Sequence, residues 1–166
     1  LFEGDDVLFK KHIINVDTYG EYGVGDSTVW VSRNTNSKII SVETDLNWLT
    51  KVKLKIGKIQ NSNRFELGLI DLGEVSDWGT PKSYDKRNNI IKYIEYIWIK
   101  SSKPDLILID GRFRVACFLM CLIKAKEGTK IIFDDYVDRK YYHIVEDFLN
   151  ATEFSSRQAL FIVPRE

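Results

Sequence analysis

The fold is encoded most clearly at residues 19–28, which read Tyr19-Gly20-Glu21-Tyr22-Gly23-Val24-Gly25-Asp26-Ser27-Thr28. A β-prone segment ends here in two glycines separated by one residue, and Ser27 then opens an apolar run that is compatible with a helix. An acid, Glu43, ends the next strand-like segment, 18 residues after Gly25. Glycines in such a loop let a ligand approach the backbone, and the acid accepts hydrogen bonds from a ribose diol. The pattern therefore predicts a strand–loop–helix–strand unit that binds an adenosine-containing cofactor.

The composition is that of an ordinary globular protein without a nucleic-acid or membrane signature. Its 166 residues suffice for a single domain, residues 1–166, with a sizeable core. Lysine plus arginine and aspartate plus glutamate number 24 each, so the chain lacks the basic surplus of most duplex-binding proteins. No apolar run approaches the about 18 to 20 residues that span a bilayer. We therefore expect no nucleic-acid partner and no membrane association.

The two cysteines indicate the redox environment. Cys117 and Cys121 lie four residues apart in a predicted helix, a spacing that suits buried thiols and is a poor geometry for a disulfide. We therefore expect a reducing, cytoplasmic location. The chain begins at Leu1 rather than at a methionine, which is compatible with a domain cut from a longer polypeptide.

Strand-like and helix-like segments alternate along the chain. Strands are predicted at residues 16–22, 38–42, 65–70, 106–109 and 129–133, with a closing hairpin at 153–163. Helices are predicted at residues 27–33, 45–56, 90–100, 115–124 and 141–149. This order predicts an α/β fold, in which a doubly wound, Rossmann-like, mostly parallel seven-stranded sheet ends in a C-terminal antiparallel hairpin.

An acidic residue stands at the carboxyl end of every predicted parallel strand. These residues are Glu21, Glu43, Asp71, Asp110, Asp134 and Asp135. Since ligands of open α/β sheets bind beyond the carboxyl ends of the strands, the acids are predicted to rim the ligand site. The long irregular segment at residues 74–89 lies on the same side and is a candidate lid.

The glycine loop resembles the first motif of class I S-adenosylmethionine-dependent methyltransferases, which has the form acid-x-G-x-G and matches Glu21, Gly23 and Gly25. The resemblance implies S-adenosylmethionine as the cofactor and these residues, together with Ser27, as part of its site. Ser27 stands where the family often has a third glycine, and a serine there can cap the following helix. Thr28 replaces the third glycine of dinucleotide-binding loops, which disfavours an NAD-dependent oxidoreductase.

Two further motifs of the family match downstream acids. Glu43 corresponds to the acid that ends the second strand, and Asp71 corresponds to the polar residue after the third strand, near the adenine. Asp71 is alternatively a turn residue before Gly73. A rim of carboxylates suits a cofactor that carries a sulfonium and an ammonium and lacks a pyrophosphate, so the charge pattern agrees with the resemblance.

Three acids follow the fourth and fifth strands, which are predicted neighbours about 5 Å apart. They are Asp110, Asp134 and Asp135. Two like charges about 4 Å apart repel by about 4 kcal/mol at an effective dielectric constant of about 20, so the cluster needs raised pKa values or a bound cation. Oxygen ligands favour Mg²⁺, with Mn²⁺ or Ca²⁺ as alternatives. The other possibility is that these acids only cap strands and helices.

The acidic cluster resembles that of metal-dependent O-methyltransferases of the catechol and macrolide-sugar types. The resemblance implies that the three acids hold Mg²⁺ or Mn²⁺, that the metal binds hydroxyls of the acceptor, and that Asp110, which also borders the cofactor, can take the hydroxyl proton. Arg112 or Arg114 either binds an anionic acceptor or pairs with the acids; in the metal-free alternative one of them neutralises the acids and His143 acts as a general base. His143 is otherwise a surface or packing residue of its predicted helix.

Three stretches resemble a little-characterised set of bacterial and viral methyltransferase-like proteins, over nearly the whole chain. They are Asp77-Trp78-Gly79-Thr80-Pro81, Asp110-Gly111-Arg112-Phe113-Arg114-Val115-Ala116-Cys117 and Phe133-Asp134-Asp135-Tyr136. We therefore expect an S-adenosylmethionine-dependent O-methyltransferase that acts on a hydroxyl of a small acceptor, with a sugar or glycan favoured. The alternatives are a metal-free methyltransferase and a non-catalytic S-adenosylmethionine-binding domain. The sequence leaves the oligomeric state open.

Overall fold

The computed structural model describes residues 1–58, 63–100 and 102–165. The strands are β1 (Thr18–Tyr22), β2 (Lys38–Glu43), β3 (Phe65–Leu69), β4 (Leu106–Ile109), β5 (Lys130–Phe133), β6 (Glu153–Ser155) and β7 (Gln158–Ile162). The α-helices are α1 (Val7–Ile13), α2 (Asp26–Asn34), α3 (Leu46–Ile56), α4 (Ile90–Glu95) and α5 (Arg114–Lys124). Short 3₁₀ segments cover Asp77–Gly79, Arg87–Asn89, Tyr96–Trp98 and Lys140–Asp147. Within these ranges no helix has the length and apolarity that a membrane crossing requires.

The strands form one sheet in the order β3-β2-β1-β4-β5-β7-β6. The first five strands of this order run parallel, and β7 pairs antiparallel with both β5 and β6. The predicted doubly wound sheet with a C-terminal antiparallel hairpin is therefore confirmed. The direction of winding reverses between β1 and β4, which places a crevice at the carboxyl ends of these two strands.

The register brings the carboxyl ends of the central strands level with one another. Tyr22, the last residue of β1, pairs with Val42 of β2 and with Ile109 of β4. Ile109 in turn pairs with Phe133, the last residue of β5. The segments that follow β1, β2, β4 and β5 therefore leave the sheet at the same edge, beside the crevice.

Helices and aromatic side chains cover both faces of the sheet. On one face α4 and α5 lie over an aromatic cluster, in which the ring centroid of Phe118 is 4.7 Å from Phe161 and 6.2 Å from Phe133. On the other face α1 and α2 lie over a second cluster, in which Phe9 is 5.8 Å from Tyr19. Such aromatic pairs add about 0.5–1.5 kcal/mol each beyond the area they bury. The two clusters hold the sheet rigid beneath the crevice.

Helix α1 is an element that the sequence patterns do not predict. It has seven residues, and isolated helices shorter than about 12–15 residues are marginal in water. Its side chains Leu8, Phe9 and Ile13 are all fully buried. Tertiary packing against the sheet, rather than local propensity, therefore stabilises this helix.

Two predicted helices differ from the structure. In the predicted helix at residues 90–100, α4 ends at Glu95 and a 3₁₀ turn continues to Trp98. The predicted helix at 141–149 is the 3₁₀ segment Lys140–Asp147. Tyr142 in this segment lies 4.9 Å from the ring of Phe133 on β5. Helical periodicity does not reflect such contacts with the sheet. We attribute to them the 3₁₀ rather than α-helical conformation of this segment.

Candidate functional site

A cleft of about 520 Å³ opens at the crevice between β1 and β4. Small-molecule sites in proteins commonly have volumes of about 300–1,000 Å³. The loop after β1, the turn after β2, the loop that carries Trp78 and the segments after β4 and β5 form its walls. Leu1, Phe2 and Glu3 border it as well. The cleft therefore lies where the aligned strand ends bring four of the six predicted acids together, namely Glu43, Asp110, Asp134 and Asp135.

The loop after β1 packs backbone to backbone against the loop after β4. Gly23 has a φ of +91°, and a Cβ atom there would lie 2.7 Å from the Cα atom of Gly111. A Cβ atom on Gly111 would lie 2.8 Å from the amide nitrogen of Gly23. Gly25 differs, because only the Ser27 hydroxyl, at 4.0 Å, comes near its Cβ position. Gly23 and Gly111 are thus required by packing, whereas Gly25 leaves the wall of the cleft bare.

Glu21 is fully buried below the loop, and its carboxylate accepts four hydroxyl hydrogen bonds. The donors are Tyr19 at 2.9 Å, Thr28 at 2.6 Å, Ser41 at 2.8 Å and Ser27. Burial raises the pKa of Glu21, and the hydrogen bonds act in the opposite direction. The carboxylate ties β1, β2 and α2 together, so Glu21 shapes the glycine loop from beneath rather than lining the cleft.

Thr28, rather than Ser27, caps α2. The helix begins at Asp26 with Gly25 at the N-cap position, and the Gly25 N–H donates to the Thr28 hydroxyl at 2.9 Å. Ser27 lies inside the first turn and its hydroxyl donates to Glu21. The capping role expected for Ser27 is therefore corrected, because the helix starts one residue earlier than predicted. Ser27 does not line the cleft.

Glu43 lines the cleft at the end of β2 and is only 8% exposed. Its Oε1 atom accepts the N–H groups of Thr44 at 2.7 Å and Asp45 at 3.1 Å, while Oε2 accepts the Val24 N–H at 3.1 Å. Burial raises the pKa of Glu43, and the backbone hydrogen bonds oppose this shift. The carboxylate joins the glycine loop to the β2–α3 turn, and Oε2 keeps acceptor capacity toward a ligand.

Two tryptophans flank the acidic side of the cleft. Trp48 of α3 donates its indole N–H to the Val24 carbonyl at 2.6 Å. Trp78 is 87% exposed and has a φ of +63°, in the left-handed region that costs a residue other than glycine about 1–3 kcal/mol. Its loop is anchored by the Thr44 hydroxyl, which donates to the Gly79 carbonyl at 3.1 Å. The predicted lid segment thus places an aromatic side chain at the mouth of the cleft.

Asp71 does not reach the cleft. Its side chain is exposed, Oδ1 accepts the Gly73 N–H at 2.8 Å, and Oδ2 pairs with Lys86. Lys86 is also the main cause that lowers the pKa of Asp71. The residue therefore forms the turn before Gly73, which is the alternative interpretation of its motif.

The three acids after β4 and β5 converge with three arginines, some close in sequence and some distant. Arg114, whose side chain is 4% exposed, lies 3.1 Å from Asp110 and 3.3 Å from Asp135. It also donates to the Asp134 carbonyl at 2.7 Å. Asp135 pairs in addition with Arg139 at 2.8 Å and with Arg157 at 2.6 Å. The acids thus form a mixed cluster in which guanidinium groups balance most of the negative charge.

The environment raises the pKa values of two of these acids. Burial raises the pKa of Asp110 to about 8, repulsion from Asp134 adds to the shift, and Arg114 opposes it. Burial is also the main cause that raises the pKa of Asp134, which accepts the Gln158 amide at 2.8 Å. About 35% of the Asp110 side chain remains exposed, in the cleft. Asp110 is therefore a carboxyl group that gains and loses a proton near neutral pH where a ligand can reach it.

The cluster has the spacing of a metal site but not its charge balance. One oxygen of each carboxylate lies within 4.8 Å of the other two, which is compatible with a shared divalent ion. Oδ2 of Asp135, however, already contacts Arg114 and Arg139, and Oδ1 contacts Arg157. A cation placed there would also be repelled by three guanidinium groups. The arrangement does not fit an ion held by all three acids, and it matches the alternative in which an arginine neutralises the cluster.

Two further predicted residues take contrasting positions. His143 stacks on Tyr136 with ring centroids 4.7 Å apart, its Nε2 atom lies 3.1 Å from the Tyr136 carbonyl, and it does not line the cleft. It is thus the packing residue of the alternative interpretation. Arg112 lines the cleft and donates from Nη1 to the Thr80 hydroxyl at 3.2 Å.

Several site residues have roles that the sequence patterns do not assign. Gly111 directly follows Asp110, the acid at the end of β4. A search for glycines next to the acids at strand ends would have identified it as a candidate. Arg139 lies four residues after Asp135, a spacing at which the two side chains can pair, so a local signal for this contact is present in the sequence. Arg157 carries no such signal, because the fold alone brings it to Asp135.

Comparison with known structures identifies proteins of similar fold. A methyltransferase-like protein from Silicibacter pomeroyi DSS-3 is 31% identical to the chain with a TM-score of 0.84, and the match covers 96% of this chain and 84% of that one. The O-methyltransferase TomG from Streptomyces achromogenes is involved in tomaymycin synthesis and was solved with S-adenosylmethionine. It is 10% identical to this chain with a TM-score of 0.66, and the match covers 96% of this chain and 79% of TomG. An O-methyltransferase from Bacillus cereus, solved with S-adenosylhomocysteine, is 18% identical to this chain with a TM-score of 0.58. The match covers 96% of this chain and 78% of the Bacillus cereus protein.

No protein-family profile and no curated protein sequence matches the chain. The last two structural matches show the fold alone, since their identities are low. The first combines nearly complete coverage with an identity above 30%. The sheet order, the glycine loop and this relative together show that the chain belongs to the class I methyltransferase family, among its methyltransferase-like proteins.

Proposed function

We propose that this protein transfers a methyl group from S-adenosylmethionine to a hydroxyl group of a small acceptor, and that it does so without a divalent metal. A sugar or glycan is the favoured acceptor class, because the acids that end β4 and β5 resemble those of sugar-methylating enzymes. The observation that carries the proposal is the cleft itself, in which a bare glycine loop and Glu43 face Asp110 across the β1–β4 crevice. The two structural matches solved with the cofactor or its product support this choice.

The acidic side of the cleft fits the cofactor. Gly25 leaves open space where a side chain would block the wall, and Oε2 of Glu43 retains capacity to accept a ribose hydroxyl. Asp45 adds negative charge on the same side, which suits a cationic ligand, whereas Asp26 is paired with Lys55. When bound, S-adenosylmethionine supplies an electrophilic methyl group. Trp48 and Trp78 flank this region.

Asp110 is the group that takes the acceptor proton. The Asp110 carboxylate would accept the hydroxyl proton of the acceptor when that oxygen takes the methyl group of bound S-adenosylmethionine, which would leave as S-adenosylhomocysteine. A base is most effective when its pKa lies near the working pH, and the pKa of Asp110 is raised to about 8. Arg114 contacts Asp110 at 3.1 Å and is itself buried, so it serves as a positioning residue that restrains the carboxylate.

Isothermal titration of the protein with S-adenosylhomocysteine tests the cofactor assignment. We expect saturable binding that weakens by about tenfold or more in Glu43→Gln, since a hydrogen bond to a charged group is worth about 1.5–3 kcal/mol. Glu127→Gln is the matched control, because Glu127 is exposed and pairs with Arg165. Absence of binding to the unmodified chain would refute the proposal.

Transfer of a labelled methyl group to a panel of mono- and oligosaccharides tests the reaction. We expect transfer to at least one hydroxyl acceptor, with an unchanged rate after removal of metals by EDTA. A rate lost with EDTA and restored by Mg²⁺ would return the metal-dependent alternative. Binding of S-adenosylhomocysteine without transfer to any hydroxyl would instead favour the non-catalytic domain.

A further inference from the structure

A second cavity, of about 320 Å³, lies beside the cleft. We call it the lateral cavity; it is lined by Leu72, residues 80–84, Lys86, Arg87, Ile90 and Phe113. We propose that the lateral cavity binds an oxyanion, a phosphate or a carboxylate, carried by the same acceptor whose hydroxyl is methylated in the cleft. The inference rests on the proposed function, because it assigns the cavity to the acceptor of that reaction.

The lateral cavity and the cleft meet at one side-chain pair. Arg112 lines the cleft, Thr80 lines the lateral cavity, and Nη1 of Arg112 donates to Oγ1 of Thr80 at 3.2 Å. Gly79, the residue before Thr80, also lines the cleft. A molecule with its hydroxyl beside Asp110 therefore extends toward the lateral cavity along the Arg112 side chain.

The floor of the lateral cavity is apolar and built from ordered elements. Leu72 is 2% exposed, and the ring of Phe113 makes an edge contact with Tyr93 at 5.9 Å. Phe113 has a φ of +55°, a left-handed conformation that costs about 1–3 kcal/mol. Trp78 and Asp135 of the neighbouring cleft, with φ values of +63° and +56°, share this strain.

The charges around the lateral cavity select the ligand. Its two lysines are neutralised, since Lys82 pairs with Glu74 and Lys86 pairs with Asp71. Arg87 differs: within residues 1–58, 63–100 and 102–165 no carboxylate lies within ion-pair distance, and its contact is the Tyr84 carbonyl at 3.4 Å. A guanidinium group without a carboxylate is suited to a bidentate contact with a phosphate or a carboxylate of a ligand.

Arg112 supplies a second guanidinium group of the same kind. In the described part of the chain it has no carboxylate partner, and its Nε atom is buried without a hydrogen-bond acceptor. Leaving such a donor unpaired costs about 1–3 kcal/mol, or more for a charged group. An oxyanion in the lateral cavity can pair with Arg87, on the side of the cavity where Thr80 holds the Arg112 guanidinium, whereas a neutral sugar leaves both groups without an anion.

Two matched pairs of sugars separate an anionic acceptor from a neutral one. Glucose 6-phosphate is compared with glucose, and galacturonate with galactose, each titrated into the protein saturated with S-adenosylhomocysteine. The arginine Nε–H signals in ¹⁵N NMR spectra report contact, and calorimetry gives affinity. The variant Arg87→Gln removes the proposed anion contact. Arg33→Gln, at the end of α2 remote from the cleft, removes the same charge as a control.

We expect at least one anionic sugar to bind about tenfold or more tightly than its neutral counterpart and to shift the Arg87 signal but not that of Arg33. Arg87→Gln should abolish this preference, and Arg33→Gln should preserve it. Whether the phosphate sugar or the carboxylate sugar shows the larger gain in affinity over its neutral counterpart identifies the oxyanion. Equal affinity for the anionic and neutral sugars, or a preference that survives in Arg87→Gln, would overturn the inference. Failure of S-adenosylhomocysteine to bind would instead refute the proposed function itself.

Discussion

The guanidinium group of Arg157 lies 2.6 Å from Oδ1 of Asp135 and so connects the turn of the β6–β7 hairpin to the end of β5. Arg114 and Arg139 hold the other oxygen of the same carboxylate. The Arg157 carbonyl also accepts the Tyr136 N–H at 2.7 Å, so backbone and side chain fix the contact together. The negative charge of Asp135 is thus balanced by protein groups, and this balance distinguishes the site from one built around an ion.

Removing two of these arginines is expected to create a metal response. The double variant Arg139→Gln/Arg157→Gln frees both oxygens of Asp135 from all but Arg114, so three carboxylates become available to a cation. We expect Mg²⁺ to raise the Tm of this variant by several degrees, since about 1 kcal/mol of binding corresponds to about 2–4 °C for a domain of this size. Differential scanning fluorimetry with and without Mg²⁺ provides the measurement.

The unmodified protein and Arg33→Gln serve as controls for this response, and neither should change its Tm with Mg²⁺. An equal rise in Tm in the unmodified protein would show that the ion binds despite the arginines. That outcome would restore the predicted ligand set of Asp110, Asp134 and Asp135.

The rate of methyl transfer is expected to rise with pH through a pKa of about 8, because only the ionised form of Asp110 accepts a proton. Below this pKa the carboxyl is protonated and inactive as a base; above it the rate reaches a plateau. Asp110→Asn should lower kcat by about 10²–10⁴-fold and remove this inflection. Initial rates measured from pH 6 to pH 10 test whether Asp110 is the base. An inflection that persists in Asp110→Asn would assign the base to another group.

Glu21→Gln is expected to destabilise the fold although it changes no surface charge. The amide offers one oxygen in place of two to the four hydroxyl donors around it, and each buried donor left unpaired costs about 1–3 kcal/mol. Urea unfolding should therefore show a loss of at least about 1–3 kcal/mol. Glu127→Gln, an exposed change of the same type, should stay within about 0.5 kcal/mol. Equal stabilities of the two variants would contradict this role for Glu21.

Two Gly→Ala variants separate backbone strain from close packing. Gly128 has a φ of +79° with open space around it, so Gly128→Ala should cost about 1–2 kcal/mol from strain alone. Gly23→Ala adds a clash with Gly111 to comparable strain, and overpacking costs about 1–3 kcal/mol more. Urea unfolding should rank Gly23→Ala as the less stable, and calorimetry should show that it alone loses S-adenosylhomocysteine binding. Retained binding in Gly23→Ala would show that the loop tolerates a side chain.

The architecture follows closely from local patterns in the chain. The apolar run of β4 is found at its predicted residues, and β1, β2 and β5 differ from prediction by no more than two residues at either end. These elements are readable because burial of a strand or a helix face imposes a short period on the residues that form it. The loop between β1 and α2 can also be predicted from the sequence, because the positive φ of +91° at Gly23 favours glycine.

Which polar residues line the cleft and which form ion pairs depends largely on contacts between distant segments. Asp71 and Glu43 both end parallel strands, yet only Glu43 faces the cleft. Arg139 lies only four residues after Asp135, but the packed chain alone adds Arg114 from α5 and Arg157 from the hairpin turn to the same carboxylate. Periodicity and motif spacing report which residues lie on a strand or a helix. Charge pairing depends on distances of about 3–4 Å between segments, which only the packed chain establishes.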